Sequence, residues 1–175
     1  MRKNKIIDIL FGGMFIVYLF LMIDLLFFRW GMDSRSINLI PFKSILEGAG
    51  IHDGIRHISF DVQVWGNVLI FIPAGVYIMV LLRQERVYKA MLGALLLSMA
   101  TELIQYVFAI GASDIDDIIL NCLGGAVGVL AYCLLKKQLK EKDKVRRIIS
   151  YSSAIIGIPV LIITILLFFA NLKSF

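Results

Sequence analysis

Five apolar stretches constrain this chain more than any other feature. They lie at about residues 6–28, 62–82, 88–110, 117–135 and 148–170. About 20 apolar residues in a helix cross the hydrocarbon core of a bilayer, which is roughly 30 Å thick. Each stretch is long enough to do so. Of the 175 residues, 59% are hydrophobic and 18% charged, and the mean hydropathy is +0.86. A soluble domain has about 45–50% apolar residues and about 25% charged ones. A chain this small could not hide the excess inside one core, because small domains keep much of their surface in water. The composition therefore excludes a soluble enzyme, a disordered tail and a disulfide-rich secreted module. It predicts an all-α polytopic membrane protein with about five transmembrane helices, forming a single transmembrane domain over residues 1–175.

Charge placement predicts the topology. The chain carries 18 Lys and Arg against 13 Asp and Glu, a net charge of +5. The basic residues cluster beside the apolar stretches, so membrane orientation explains them better than nucleic acid does. The N-terminus, the 83–89 turn and the 136–147 loop hold 13 of the 18, and the alternate segments hold five. The positive-inside bias places the N-terminus in the cytoplasm and the C-terminus outside. The 29–61 loop and the 111–116 turn are then extracytoplasmic. Arg2, Lys3 and Lys5 resemble a signal-peptide n-region. The apolar stretch behind them is too long for an h-region and no cleavage site follows Phe28, so it reads as a retained span. Cys122 and Cys133 have no metal spacing and cannot pair within one helix.

The 29–61 loop is long enough to suggest function. Within it, Pro41 through Glu47 predicts a short helix, with Pro41 in its first turn and Gly48 after its end. Phe42, Ile45 and Leu46 would dip into the membrane interface while Lys43 and Glu47 stay wet. His52 and His57, with Asp53 and Asp61, match no strong zinc signature and read as a solvated loop. Asp24 and Asp8 read as interfacial charges near Arg29 and Lys5. Trp30 and Trp65 flank span ends, as interfacial anchors do.

Polar residues inside the apolar spans carry the chemistry. A carboxylate at mid-bilayer costs about 2.5–3.5 kcal/mol on insertion scales, so it faces protein or water. Glu102 shares one helix face with Ser98 and Gln105. In the fourth span Asp114, Asp117, Asn121, Gly124 and Gly128 form one stripe, from which Asp116 points away. Gly124 and Gly128 are spaced for close helix approach. In the second span Gln63 and Asn67 share a face, and Pro73, followed by Gly75, should bend the helix. The predicted topology brings these groups to a similar depth in the outer half of the membrane. They predict one outward-facing polar pocket. The same residues also admit a structural reading, in which the amides and Glu102 bond across helices and the aspartates cap the fourth helix.

The motifs Asn38-Leu39-Ile40-Pro41-Phe42, Asn67-x-x-x-Phe71-x-Pro73-x-Gly75 and Thr101-Glu102-x-x-Gln105 occur in order. Asp114-x-x-Asp117-x-x-x-Asn121-x-x-Gly124-x-x-x-Gly128 follows them. Over about residues 35–130 the chain thereby resembles the VanZ-like family of small membrane proteins. Many relatives carry an arginine just ahead of the first aspartate, where this chain has Gly111-Ala112-Ser113. The resemblance implies the cytoplasmic membrane of a bacterium and a link to the family's namesake. That protein is associated with resistance of Gram-positive bacteria to teicoplanin, a lipid-tailed glycopeptide.

Three readings follow. In the first, the pocket binds or modifies an outer-leaflet amphiphile: a membrane lipid, a lipid-linked envelope precursor or the lipoglycopeptide itself. Asn67, Gln105 and Asn121 would hydrogen-bond its head, and Glu102, Asp114 and Asp117 would hold a cationic or hydroxylated part. The second is an intramembrane enzyme on a lipid-linked substrate. Glu102 with Asp114 or Asp117 would act as acid and base, or the carboxylates with Asn121 would hold a divalent cation through oxygen ligands. No specific metal motif or nucleophile supports it. The third is a structural partner of envelope enzymes, in which Pro41, Pro73, Gly75, Gly124 and Gly128 matter for packing alone. The spans show no inverted repeat of the kind transporters use.

Overall fold

The computed structural model describes residues 2–28, 37–48, 51–52, 55–56, 62–82, 86–109 and 113–172. Among these residues six α-helices dominate: α1 (Arg2–Ile23), α2 (Lys43–Gly48), α3 (Val62–Leu81), α4 (Val87–Phe108), α5 (Ile115–Leu139) and α6 (Lys142–Leu172). A π-helical stretch, Asp24–Phe28, extends α1. Among the described residues five helices are long and apolar enough to cross a membrane. The protein is an all-α polytopic membrane protein, as the apolar spans predict.

Among the described residues four two-residue strands decorate the helices. β1 (Ile37–Asn38) pairs in parallel with β4 (Ser113–Asp114), and β2 (Ile51–His52) pairs antiparallel with β3 (Ile55–Arg56). Such pieces carry too little hydrophobic alternation to be read from sequence. The β1–β4 pair matters most, because it ties the segment ahead of α2 to the entrance of α5.

The basic 136–147 segment is mostly helical. Lys136 and Lys137 sit in the last turn of α5, where cations favour the helix dipole. Lys140 takes a left-handed φ of 59° and its N–H donates to the Lys136 carbonyl at 2.9 Å, closing α5. Val145 N–H already donates to Glu141 as α6 begins. Charge alone does not break a helix, so both helices run on until this turn. At 31 residues α6 is about 46 Å long, well over the hydrocarbon thickness.

The chain divides into two compact units. In the first, residues 1–24 and 135–175, α1 packs on α6. Ile7, Phe11 and Met14 form the buried stripe of α1 at helical spacing, and Val145 and Ile149 are buried on α6. Arg146 pairs with Asp8 at 3.1 Å and stacks 4.7 Å above the Phe11 ring. The spacing of Lys5 did not suggest this partner for Asp8.

The second unit, residues 25–134, holds α2 to α4 and most of α5. Here the glycines set the spacing. A Cβ on Gly124 or Gly128 would overlap the Val68 or Ile72 carbonyl of α3, and one on Gly75 would overlap the Gly125 carbonyl of α5. On its other side α5 meets α4, where a Cβ on Gly125 would come within 2.8 Å of the Ala94 methyl. The α4 contact face is correspondingly small and steps by helical turns through Ala90, Ala94 and Ser98 to Glu102, all buried. Pro73 lies inside α3, which continues unbroken past it.

Candidate functional site

The entrances of α3 and α5 and the exit of α4 meet at one end of the second unit. The polar residues predicted from the spans collect there. Asp114 precedes the first turn of α5 as its N-cap, its Oδ1 accepting from Asp116 N–H at 2.9 Å. The same oxygen accepts from Asn38 Nδ2 at 3.1 Å, and Oδ2 accepts from the Ser44 hydroxyl. Asn38 Nδ2 also reaches Ser44 Oγ at 3.0 Å, while its Oδ1 accepts from Ile40 N–H at 3.2 Å. Both Asp114 oxygens are therefore occupied by the α2 segment and the α5 cap. As placed here, Asp114 is a scaffold group.

Asp116 does point away from the Asp114–Asp117 stripe, and it has its own task. Its carboxylate is fully buried at 0% exposure. It accepts from the N–H groups of Phe42 at 2.5 Å, Ser44 at 2.8 Å and Ile45 at 3.2 Å. It thus caps α2 from another helix, satisfying donors that a helix start leaves open. Phe42, between Pro41 and α2, is held at a left-handed φ of 65°. That conformation is unusual for a bulky residue and persists only when its surroundings hold it. The helix predicted at Pro41–Glu47 thus begins two residues later, with Pro41 in the turn that presents the Phe42 N–H. Phe42 and Leu46 are exposed and Ile45 is half-buried.

Beside this clamp lies a second layer. Asn67 Nδ2 of α3 donates to Asp117 Oδ1 of α5 at 2.5 Å. Glu102 Oε2 of α4 accepts from Asp114 N–H at 2.9 Å, and Glu102 is 4% exposed. One turn further along, Asn121 Nδ2 donates to Ser98 Oγ at 3.0 Å. Asn121 Oδ1 is buried without a hydrogen-bond partner. Gln105 Nε2 donates to the Leu26 carbonyl at 2.9 Å, and Gln105 Oε1 is likewise buried and unpartnered. The residues of the predicted site are therefore gathered in one unit. Asn67, Glu102, Asp117 and Asn121 bridge α3, α4 and α5, and Gln105 reaches the π-helical stretch. Among the described residues no group of three or more His, Cys, Asp or Glu has an arrangement suited to a metal ion.

Sequence reasoning passed over Asp116 because helical periodicity placed it off the polar stripe. Its signal was a third carboxylate at a helix entrance already supplied with a cap. Gly125 was also passed over, although it adjoins a glycine already singled out. The expectations for Gln63, His52, His57, Asp53, Asp61, Glu47, Arg29 and Trp30 concern side chains outside the described residues.

Fold and site together define a class: a polytopic helical membrane protein with buried carboxylates and amides where three packed helices meet. Residues 15–136 match the family model described as VanZ/LLP1. Over 163 residues the chain is 32% identical to Protein VanZ of Enterococcus faecium, covering 89% of this chain and 90% of that one. No solved structure matches it significantly. This chain belongs to the VanZ/LLP1 family.

Proposed function

We propose that the protein lowers susceptibility to lipoglycopeptides such as teicoplanin by binding or modifying an outer-leaflet amphiphile at the Asn67–Glu102–Asp117–Asn121 cluster. The observation that carries this reading is the cost of the cluster itself. Four carboxyl groups in one unit, Glu102, Asp114, Asp116 and Asp117, are all buried. Asp114 and Asp116 are used up in clamping the α2 segment. Glu102 and Asp117 exceed what that clamp needs, and intramembrane ionisable groups beyond structural need mark functional sites by default.

The orientation read from Lys and Arg turns this end of the helices outward. An amphiphile's head would then reach the cluster from the outer leaflet while its tails stay in lipid. Exposed Leu39, Ile40, Phe42 and Leu46 on the clamped segment supply apolar surface alongside. The bond from Asn67 holds the Asp117 carboxylate in a fixed orientation. Glu102, fastened through one oxygen to the Asp114 backbone, is held likewise.

The test is to purify the full chain in mild detergent from host membranes and to extract the amphiphiles that remain bound. A class enriched on wild type and depleted on Asp117→Asn, which keeps an acceptor for Asn67, at equal yield and similar melting behaviour, is the expected result. Identical profiles on both proteins would overturn the reading.

A further inference from the structure

We propose that a cleft between α1 and α6 holds the phosphodiester of an anionic phospholipid of the cytoplasmic leaflet, gripped by Arg146 and Arg147. The cleft belongs to the first unit, whereas the Asn67–Asp117 cluster belongs to the second. The inference therefore stands or falls independently of the function proposed above.

Ile7 and Asp8 of α1 and Asp143, Arg146 and Arg147 of α6 line this one cleft. A guanidinium stays charged and only donates, so its role does not depend on a tautomer or on pH. Asp8 takes Nη1 of Arg146 at 3.1 Å, and the Phe11 ring lies 4.7 Å from the same guanidinium. The two contacts fix Arg146 against α1. Its Nε is shielded from water and has no hydrogen-bond partner. The Asp8 carboxylate thus leaves Arg146 with donors to spare. Arg147, the next residue, is exposed beside it. Two guanidiniums at one place suit an anion with several acceptor oxygens, as phosphate is.

Asp8 and Asp143 oppose an anion here, but they are outnumbered. Residues 1–8 and 136–147 hold ten Lys and Arg against three Asp and Glu. The third acid, Glu141, is itself paired with Lys144 at 2.9 Å. Depth then selects the anion. From Ile148 to Leu172, 25 residues, α6 carries no charged side chain. At helical rise that is about 38 Å, enough for a hydrocarbon core of roughly 30 Å. Arg146 and Arg147 are the last charges before this run, which sets them at the level of the lipid head groups. Phosphate is the anion that phospholipids place there. The orientation read from Lys and Arg turns this end to the cytoplasmic leaflet. Basic pockets between helices on that side suit anionic head groups. A choline head would bring a cation into the positive field along with its phosphate, and a glycerol head would not.

The experiment titrates the purified full chain in mixed micelles with phosphatidylglycerol or phosphatidylcholine of identical acyl chains, and reads bound lipid by native mass spectrometry. Wild type should prefer phosphatidylglycerol. One Lys or Arg beside an anionic lipid surface is worth about a factor of five, so Arg147→Gln should weaken phosphatidylglycerol binding about fivefold. Arg146→Gln combined with Arg147→Gln should weaken it by more than about tenfold. Exposed Arg147 takes no part in the Asp8 pair, so Arg147→Gln decides the matter if the double variant does not fold. Lys137→Gln combined with Lys140→Gln removes the same charge from exposed positions outside the cleft and should change binding little. Equal binding of the two lipids, or unchanged binding in Arg147→Gln, would overturn the phosphate site. An equal loss in the Lys137 and Lys140 variant would assign the preference to the diffuse positive field and overturn the cleft. Soluble glycerol phosphate at the lipid's own concentration should displace nothing. Displacement by it would assign the cleft to a free phosphate and overturn the lipid part.

Discussion

Removing the Asp116 carboxylate should free the α2 segment without unfolding the helices. The structure gives this carboxylate three backbone donors, Phe42, Ser44 and Ile45. A hydrogen bond to a charged group contributes about 1.5–3 kcal/mol net, so three counted singly give about 4.5–9 kcal/mol. The true figure is lower. The Ile45 bond is the longest at 3.2 Å, and Phe42 is exposed enough for water to replace its partner. Asp114 and Asn38 also keep hold of the segment through Ser44. About 3–4 kcal/mol is expected for Asp116→Ala, and about half of that for Asp116→Asn, which retains one good acceptor. The loss falls on docking of the segment, because the α3–α5 contact is made by glycines elsewhere. Ile45→Cys, half-buried in the docked segment and labelled by a maleimide in the Cys122→Ala, Cys133→Ala background, reports this docking. Labelling should change by more than tenfold with Asp116→Ala and less with Asp116→Asn, while melting of the helical signal moves little. Unchanged labelling in both variants would refute the assignment of Asp116 as the anchor of α2.

Three further perturbations separate packing from site chemistry. Gly128→Ala places a methyl on the Ile72 carbonyl of α3 and should cost about 1–3 kcal/mol or more in the melting of purified protein. Gly13→Ala meets nothing within 4 Å and should be neutral or gain about 0.5–1 kcal/mol in the same assay. Asn67→Ala and Asp117→Ala, alone and together, should show a coupling of about 1.5–3 kcal/mol, and additivity would mean the bond between them contributes nothing. Arg146→Met loses its pair with half-exposed Asp8 and its stacking on buried Phe11, and should lower stability by about 1 kcal/mol, with the ion-pair share fading in high salt.

The spans and the glycine stripe were legible because lipid imposes simple rules. A spanning helix needs a fixed apolar length, and close helix approach needs small residues. The meeting of Asn67, Glu102, Asp117 and Asn121 was legible for the same reason, since orientation and helical rise fix depth. What the spacing could not supply was the division of labour among the aspartates. Asp114 and Asp117 lie on one stripe, yet Asp114 is consumed by Asn38, Ser44 and the α5 cap. Asp116, off the stripe, anchors the longest loop. These roles depend on contacts some 70 residues apart in sequence, which helical periodicity cannot register. The 136–147 segment was misjudged as a loop because charge density was taken for a break, whereas the only interruption is the left-handed turn at Lys140.

The central claim is that the cluster at the meeting of α3, α4 and α5 carries the protein's effect on the cell. It is tested most directly by teicoplanin and vancomycin susceptibility of a sensitive Gram-positive host expressing wild type or Asp117→Ala at matched membrane levels. The account predicts teicoplanin-selective protection by wild type that disappears in Asp117→Ala. Equal protection by both proteins would contradict it, reducing Asp117 to a packing residue.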